Sequence, residues 1–291
     1  TAPVSAALTC SANGSIDDDS DPIVYTTRWS KGGVLQPAYD GLYSVPASAT
    51  SLGDVWTCEA RASDGLVDSA WVGASTTVMP APGDLVISEF LADAVRVSDA
   101  AGEWVEVYNA SGAPINLAGF VLRDDASDSH TIASPVVVPA GGRVVLARND
   151  DVATNGGVVA SYEYTGFVLG NGSDQIVLSF LGLEIDRFNY TLSTWPSIAG
   201  HSVSLSPALG APNATLNDQP VNWCGSMFPI TSPGSDFGTP GMSNDSCLCW
   251  PSDSDLDGYG TAAACSIVDC NDGNPAINPA ATDVCENGLD E

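Results

Sequence analysis

The sequence predicts an all-β protein: two β-sandwich domains followed by a small tail ordered by disulfides and calcium. Three observations carry this expectation. Short apolar runs alternate with Gly, Pro, Asn and Asp turn signals along residues 1–246, without a helical period. Pro80-Ala-Pro-Gly83 interrupts that pattern once, because two prolines in four positions deny a strand its ladder donors. The segment after Cys247 sets carboxylates at alternate positions among cysteines, and it is too short to build a core of its own. The expected domains are therefore residues 1–80, residues 84–246 and a module at 247–291.

Composition narrows the partners. The 291 residues hold 36 acids, mostly Asp, against 8 bases, and Lys31 is the single lysine. A chain with net charge −28 repels nucleic acid and anionic lipid and suits divalent cations. The part of the acid that is not clustered is accounted for by solubility, or by tolerance of a salty medium. Eight cysteines, mostly outside zinc spacing, point to an oxidising, extracellular or cell-surface compartment. Cys247-Leu-Cys249 with Cys265 and Cys270 would suit zinc, but the surrounding aspartates favour a hard ion. No apolar run is long enough to span a bilayer, so membrane insertion is not expected. A basic n-region followed by an apolar h-region is missing, which places any secretion signal outside these residues. The Asn-x-Ser/Thr sequons at Asn13, Asn109, Asn171, Asn189, Asn213 and Asn244 matter only in a eukaryotic secretory pathway, and such a composition produces them by chance.

In the first segment, strands are expected near Ala7–Cys10, Ile23–Trp29, Asp54–Ala62 and Ser75–Met79. Cys10, Trp29 and Cys58 stand in the order of an inter-sheet disulfide and its core tryptophan, with Trp56 two residues before the second cysteine. This segment resembles bacterial immunoglobulin-like domains. Ser15-Ile-Asp-Asp-Asp-Ser-Asp-Pro-Ile-Val-Tyr25 and Ala62-Ser-Asp-Gly65 are similar to the polycystic-kidney-disease type of repeat.

In the second segment, Leu85-Val-Ile-Ser-Glu-Phe90, Glu103-Trp-Val-Glu-Val-Tyr-Asn109 and Ile115-Asn-Leu-Ala-Gly-Phe120 resemble the opening of a lamin tail domain. Val138-Pro-Ala-Gly-Gly-Arg-Val-Val-Leu146, Leu169-Gly-Asn-Gly-Ser-Asp-Gln-Ile-Val-Leu178 and Gly238-Thr-Pro-Gly-Met-Ser-Asn244 follow in the family's order. The resemblance implies an Ig-like sandwich. His201–Pro233 departs from the pattern, and Cys224 within it is expected to be stapled to the following module.

The tail carries the most specific chemistry. Asp253-Ser-Asp255-Leu-Asp257-Gly258-Tyr-Gly260 puts hard oxygens on one side of a tight loop, as calcium requires. With Asp253 as position one, Asp255 and Asp257 fall at three and five, and the Tyr259 carbonyl at seven. The bidentate Glu of an EF-hand is replaced by Ala264, so Asp269, Asn271 and Asp272 are the candidates to complete the set. Without a cation these carboxylates repel one another. A loop that is merely solvated is the plainer alternative. The tail resembles bacterial acidic metal-binding repeats and the calcium repeats of thrombospondins, and Cys285-Glu-Asn-Gly-Leu-Asp-Glu291 matches the closing motif of the former, stopping before the next family cysteine. Among the cysteines, Cys10–Cys58 is the first pairing expected. Cys224–Cys247, Cys249–Cys265 and Cys270–Cys285 are one choice among several for the rest.

Asp17-Asp-Asp-Ser-Asp21 reads as turn chemistry more readily than as a second ion site. Glu89, Glu103 and Glu106 read as buried acceptors for turn amides, with Glu103 and Glu106 on opposite faces by strand parity. Gly141-Gly142 and Gly170-Asn-Gly172 read as hairpin turns. His130 and His201 have no metal-ligand partner at short spacing, and no hydrolase or phosphate-loop motif is present, so no catalytic residue and no organic cofactor is assigned.

The expected function is a non-enzymatic extracellular structural or adhesive protein, stiffened by calcium and disulfides, that meets a protein partner or its own copies in a fibre or surface assembly. Two other classes compete. One is an accessory targeting region of a secreted nuclease or phosphatase. The other is a carbohydrate-binding module using exposed aromatics at Trp195, Trp223 or Trp250.

Overall fold

The computed structural model describes residues 2–3, 6–18, 20–191, 199–231, 235–244 and 273–274. Among these, nineteen strands stand against a single four-residue α-helix at Asp99–Gly102, so the all-β expectation holds. The chain divides into two compact units, residues 1–81 with 111–115, and residues 82–110 with 116–291.

The first unit contains β1 (Ala2–Pro3), β2 (Leu8–Thr9), β3 (Val24–Lys31), β4 (Val34–Leu35), β5 (Ser44–Val45), β6 (Val55–Ser63) and β7 (Val72–Met79). One sheet runs β1-β7-β6-β3-β4, and β2 pairs with β5 in a second. The four strands expected from turn signals are all present, the last longer than expected because it starts at Val72. Trp29 pairs with Cys58 across β3 and β6, and Cys58 is bonded to Cys10, so the disulfide and the tryptophan share one core. Trp29 and Trp56 meet edge-on at 6.3 Å, and the Trp29 indole N–H donates to the Leu42 carbonyl. The indole is thus buried without an orphaned donor.

The second unit contains β8 (Leu85–Leu91), β9 (Trp104–Asn109), β10 (Ile115–Asn116, of which only Asn116 falls in this unit), β11 (Phe120–Arg123), β12 (Ser129–Thr131), β13 (Val137–Val138), β14 (Arg143–Ala147), β15 (Tyr162–Glu163), β16 (Ser173–Phe180), β17 (Leu183–Thr191), β18 (Val203–Leu205) and β19 (Trp223–Gly225). A six-stranded sheet, β15-β14-β9-β8-β18-β19, accompanies a four-stranded sheet, β12-β11-β16-β17, and β10 pairs with β13. Phe90 of β8 packs against Phe188 and Tyr190 of β17 and against Trp223 of β19, which places the core between the two sheets.

Every residue of β8 and β9 is buried. A strand covered on one face alternates, whereas one covered on both reads as a continuous apolar run. The second cover belongs to the outer face, where Leu91, Ala94, Trp104, Val145, Ala147 and Val158 form a smaller cluster. Segment 235–244 lies on the same side, since a Cβ built on Gly238 would stand 2.9 Å from Trp104. That doubly covered pair of strands positions the site described next.

Candidate functional site

β8 and β9 do not pair in even register. Ile87 faces Val107 but Glu89 faces Glu106, so Ser88 is the extra residue of a bulge. The bulge sets two carboxylates directly opposite each other, both without solvent exposure. Like charges opposed in a ladder repel, and here they are offset by donors. Glu89 accepts the Ser202 hydroxyl at 2.5 Å, the Thr239 amide at 2.8 Å and the Thr239 hydroxyl at 2.7 Å. Glu106 accepts the Ser88 hydroxyl at 2.6 Å and the Gly241 amide at 2.8 Å. Burial raises both acids above the usual carboxylate range. Glu106, further opposed by the charge of Glu89, is pushed to about 8, so the pair keeps a proton at neutral pH.

The segment held this way is Asp236–Asn244. Asp236, itself buried, accepts the amides of Val95 and Arg96, both at 3.1 Å. Asn244 donates its side-chain amide to the carbonyls of Ser88 and Leu205. Gly238 is the close approach, because an added Cβ would meet Trp104, the Ser202 hydroxyl and Glu89 within 3.3 Å. The strap is therefore fixed at residues 236, 239, 241 and 244, up to the start of the Cys- and Asp-rich segment.

Two further acids are buried by the same logic. Glu103 accepts the Leu169 amide and an Arg148 guanidinium N–H, both at 3.0 Å, and burial pushes it to about 7. Asp186 accepts the Ile87 amide and the Asn217 side-chain amide, both at 2.7 Å, and is also pushed to about 7 by burial. Asp186 thereby anchors the start of the 217–225 stretch to β8. Glu89, Glu103 and Glu106 thus take up turn and loop amides, the role expected of them. Sequence reading did not find the Glu89–Glu106 opposition, Asp186, Asp236 or Ser202. The motif at 238–244 contained Thr239, Gly241 and Asn244, but nothing local said which acids they would meet.

The residues expected to hold metal, Asp253, Asp255, Asp257, Tyr259, Asp269, Asn271 and Asp272, lie outside the described residues, as do Cys247, Cys249, Cys265, Cys270 and Cys285. Among the described residues, no group of three or more His, Cys, Asp or Glu side chains is placed to hold a metal ion. Cys10–Cys58 is formed. Cys224 is buried and disulfide-bonded, while its expected partner lies outside the described residues. In the Asp17–Asp21 run, the Asp21 amide donates to Asp17 at 3.3 Å, a local turn contact.

Several expectations are corrected. Trp223 is 2% exposed and packs on Phe188 at 4.3 Å, so it belongs to the core and offers no platform for a sugar; Trp195 and Trp250 lie outside the described residues. Gly141 sits in a tight Pro139–Gly142 turn with φ 68°, but β13 and β14, which it joins, belong to different sheets. Gly170-Asn-Gly172 closes no hairpin either: it is a bend before β16, held by Asp174 accepting the Gly170 amide. Asn109 and Asn244 are buried and cannot be glycan acceptors in this fold. His130 is engaged by Thr165 and Tyr162, and His201 stacks on Phe237 at 4.3 Å while bonding the Ser226 carbonyl.

Fold and site together define a modular β-sandwich protein in which a strap at 236–244, tied to the second unit, precedes an acidic segment. Residues 79–191 match the family described as "Lamin Tail Domain", and residues 269–291 match Cu-binding_MopE, described as "Putative metal-binding motif". Residues 79–191 are thus similar to lamin tail domains and residues 269–291 to a motif described as metal-binding, with the metal not identified by the match. No match was found among curated proteins. Among solved structures, a DUF4876 family protein from Bacteroides thetaiotaomicron aligns over 74% of this chain and 94% of its own, at 7% identity and a TM-score of 0.38, a likeness too weak to carry an argument.

Proposed function

We propose that this is a non-enzymatic, secreted or cell-surface structural protein whose C-terminal segment, 247–291, binds calcium and is held rigidly by the sandwich before it, so that the modules meet a protein partner or further copies in a fixed geometry. The observation that carries this reading is the strap. The chain is tied to the sandwich at Glu89 and Glu106 through Thr239 and Gly241, and tied again at Asn244, shortly before the Cys- and Asp-rich segment that begins at Cys247. Ordering a loop by metal is a folding event, and a fixed root lets that order extend across the junction.

The donor chemistry supports calcium over the copper of the family's name. Residues 269–291 offer Asp269, Asn271, Asp272, Asp283, Glu286 and Asp290 among their oxygens, two cysteines, and neither His nor Met. Copper favours imidazole and soft sulfur, and calcium favours carboxylate and carbonyl oxygen.

The test is a calorimetric titration of the whole chain with calcium, and separately with copper, repeated after Asp255→Asn with Asp257→Asn. Saturable calcium binding that the double variant loses, with calcium protecting the segment from protease, is the expected result. Tight copper binding unaffected by the variant, or no heat with calcium, would sink the calcium assignment.

A further inference from the structure

Arg143, on the outer face of β14, is partly buried and has a single carboxylate partner among the described residues. Its side chain is 15% exposed and lies over the Tyr108 ring at 4.8 Å. Its one carboxylate neighbour is Glu106, 3.2 Å from Nε, and that approach lacks hydrogen-bond alignment. The two oxygens of Glu106 already accept Ser88 and Gly241. Among the described residues, neither terminal nitrogen of Arg143 meets an acceptor, whereas Arg123, Arg148 and Arg187 are all hydrogen-bonded to oxygen acceptors. Only Nε is both enclosed and without a hydrogen-bond partner, and the terminal nitrogens keep their donors open to a ligand.

Arg143 lines a cavity of about 240 Å³ within the second unit. Leu205, Pro207, Ala211 and Pro212 form an apolar wall, and Ser243 and Asn244 lie at the strap end. The volume is below that of a drug-sized pocket and suits a ligand of a few heavy atoms. The planar fork of Arg matches a carboxylate through two parallel N–H donors, and the apolar wall suits a short hydrocarbon stem. A proton retained by the Glu89–Glu106 pair would leave the guanidinium charge less compensated.

We infer that the cavity between β14, the 205–212 turn and the strap is a binding site for a small carboxylate, held bidentately by Arg143, whose source is a free short-chain acid or an acidic side chain of a bound peptide. The site is independent of calcium at the C-terminal segment.

The experiment is calorimetry on the whole chain with sodium propionate and with N-acetyl-aspartyl amide, with sodium chloride matched for ionic strength. Each is repeated on Arg143→Gln and on Ala211→Phe. Ala211 lines the cavity and takes no part in the Arg143–Glu106 contact, so the second variant narrows the cavity while leaving both partners in place. Saturable binding weakened about tenfold or more by both variants is the expected result. Propionate alone binding identifies a free acid, and capped aspartate binding as well identifies a peptide side chain. Absence of saturable binding by either probe, or binding that survives Ala211→Phe, overturns the assignment.

Discussion

In the first unit the charged side chains stay at or near the surface in pairs such as Arg28–Glu59, Lys31–Asp54 and Arg61–Asp68, whereas the second unit takes Glu89, Glu103, Glu106, Asp186 and Asp236 inside. The first is fastened by a disulfide packed on tryptophan. The second fastens its loops by carboxylates that accept backbone amides. In the second unit the amides of Val95, Arg96, Leu169, Thr239 and Gly241 take carboxylate acceptors, and a buried unpaired amide costs about as much as a lost hydrogen bond. A carboxylate accepting two or three of them satisfies more donors than a neutral group would. The cost of burying it is reduced by keeping a proton.

If this division is right, the two units respond to different insults. The largest effect is expected from Cys10→Ala with Cys58→Ala. Opening a loop of sequence separation 48 removes about 4 kcal/mol from the first unit. Two-step thermal unfolding should show the first transition falling and the second unmoved; a joint fall would mean that the units unfold as one.

Glu89→Ala comes next. It leaves the Thr239 amide and the Thr239 and Ser202 hydroxyls without their acceptor, for a loss of about 3 kcal/mol in the second unit. Glu89→Gln, which keeps a neutral acceptor, should cost less. Hydrogen exchange across 236–244 measures both, and unchanged protection in the alanine variant would refute the strap's dependence on Glu89.

The pH response has a definite sign. The folded-state values of Glu106, near 8, and of Glu103 and Asp186, near 7, lie above their unfolded values. The stability these groups contribute is fully present below the unfolded carboxylate range and is lost as pH rises toward 7 and 8. Glu106 alone should therefore weaken the second unit by about 2 kcal/mol between pH 6 and pH 8, with Glu103 and Asp186 each adding about 1 kcal/mol. Chemical denaturation at several pH values tests this, and a second unit that strengthens with rising pH would contradict it.

Gly238→Ala is the mildest change. Its Cβ would stand 2.9 Å from Trp104, and the expected loss is about 1 to 2 kcal/mol, confined to the second transition. An unchanged midpoint would show that the strap can shift without loss.

The sequence by itself determined the all-β class, because period-two apolar runs and turn residues are local signals. It determined the Cys10–Cys58 pairing through the order of Cys10, Trp29 and Cys58, and the lamin tail character of the second segment through its separate motifs. The buried role of Glu89 and Glu106 was also legible, since acids inside apolar strands need donors. Tertiary structure alone decided which donors. The Ser88 bulge shifts the register by one residue, and Thr239 reaches Glu89 from a point 150 residues away in sequence. It also sent Trp223 to the core and placed Arg143 over Tyr108 beside a cavity, because exposure depends on what long connections cover. Periodicity records which face of a strand is apolar; it carries no record of the loop that returns to cover the other.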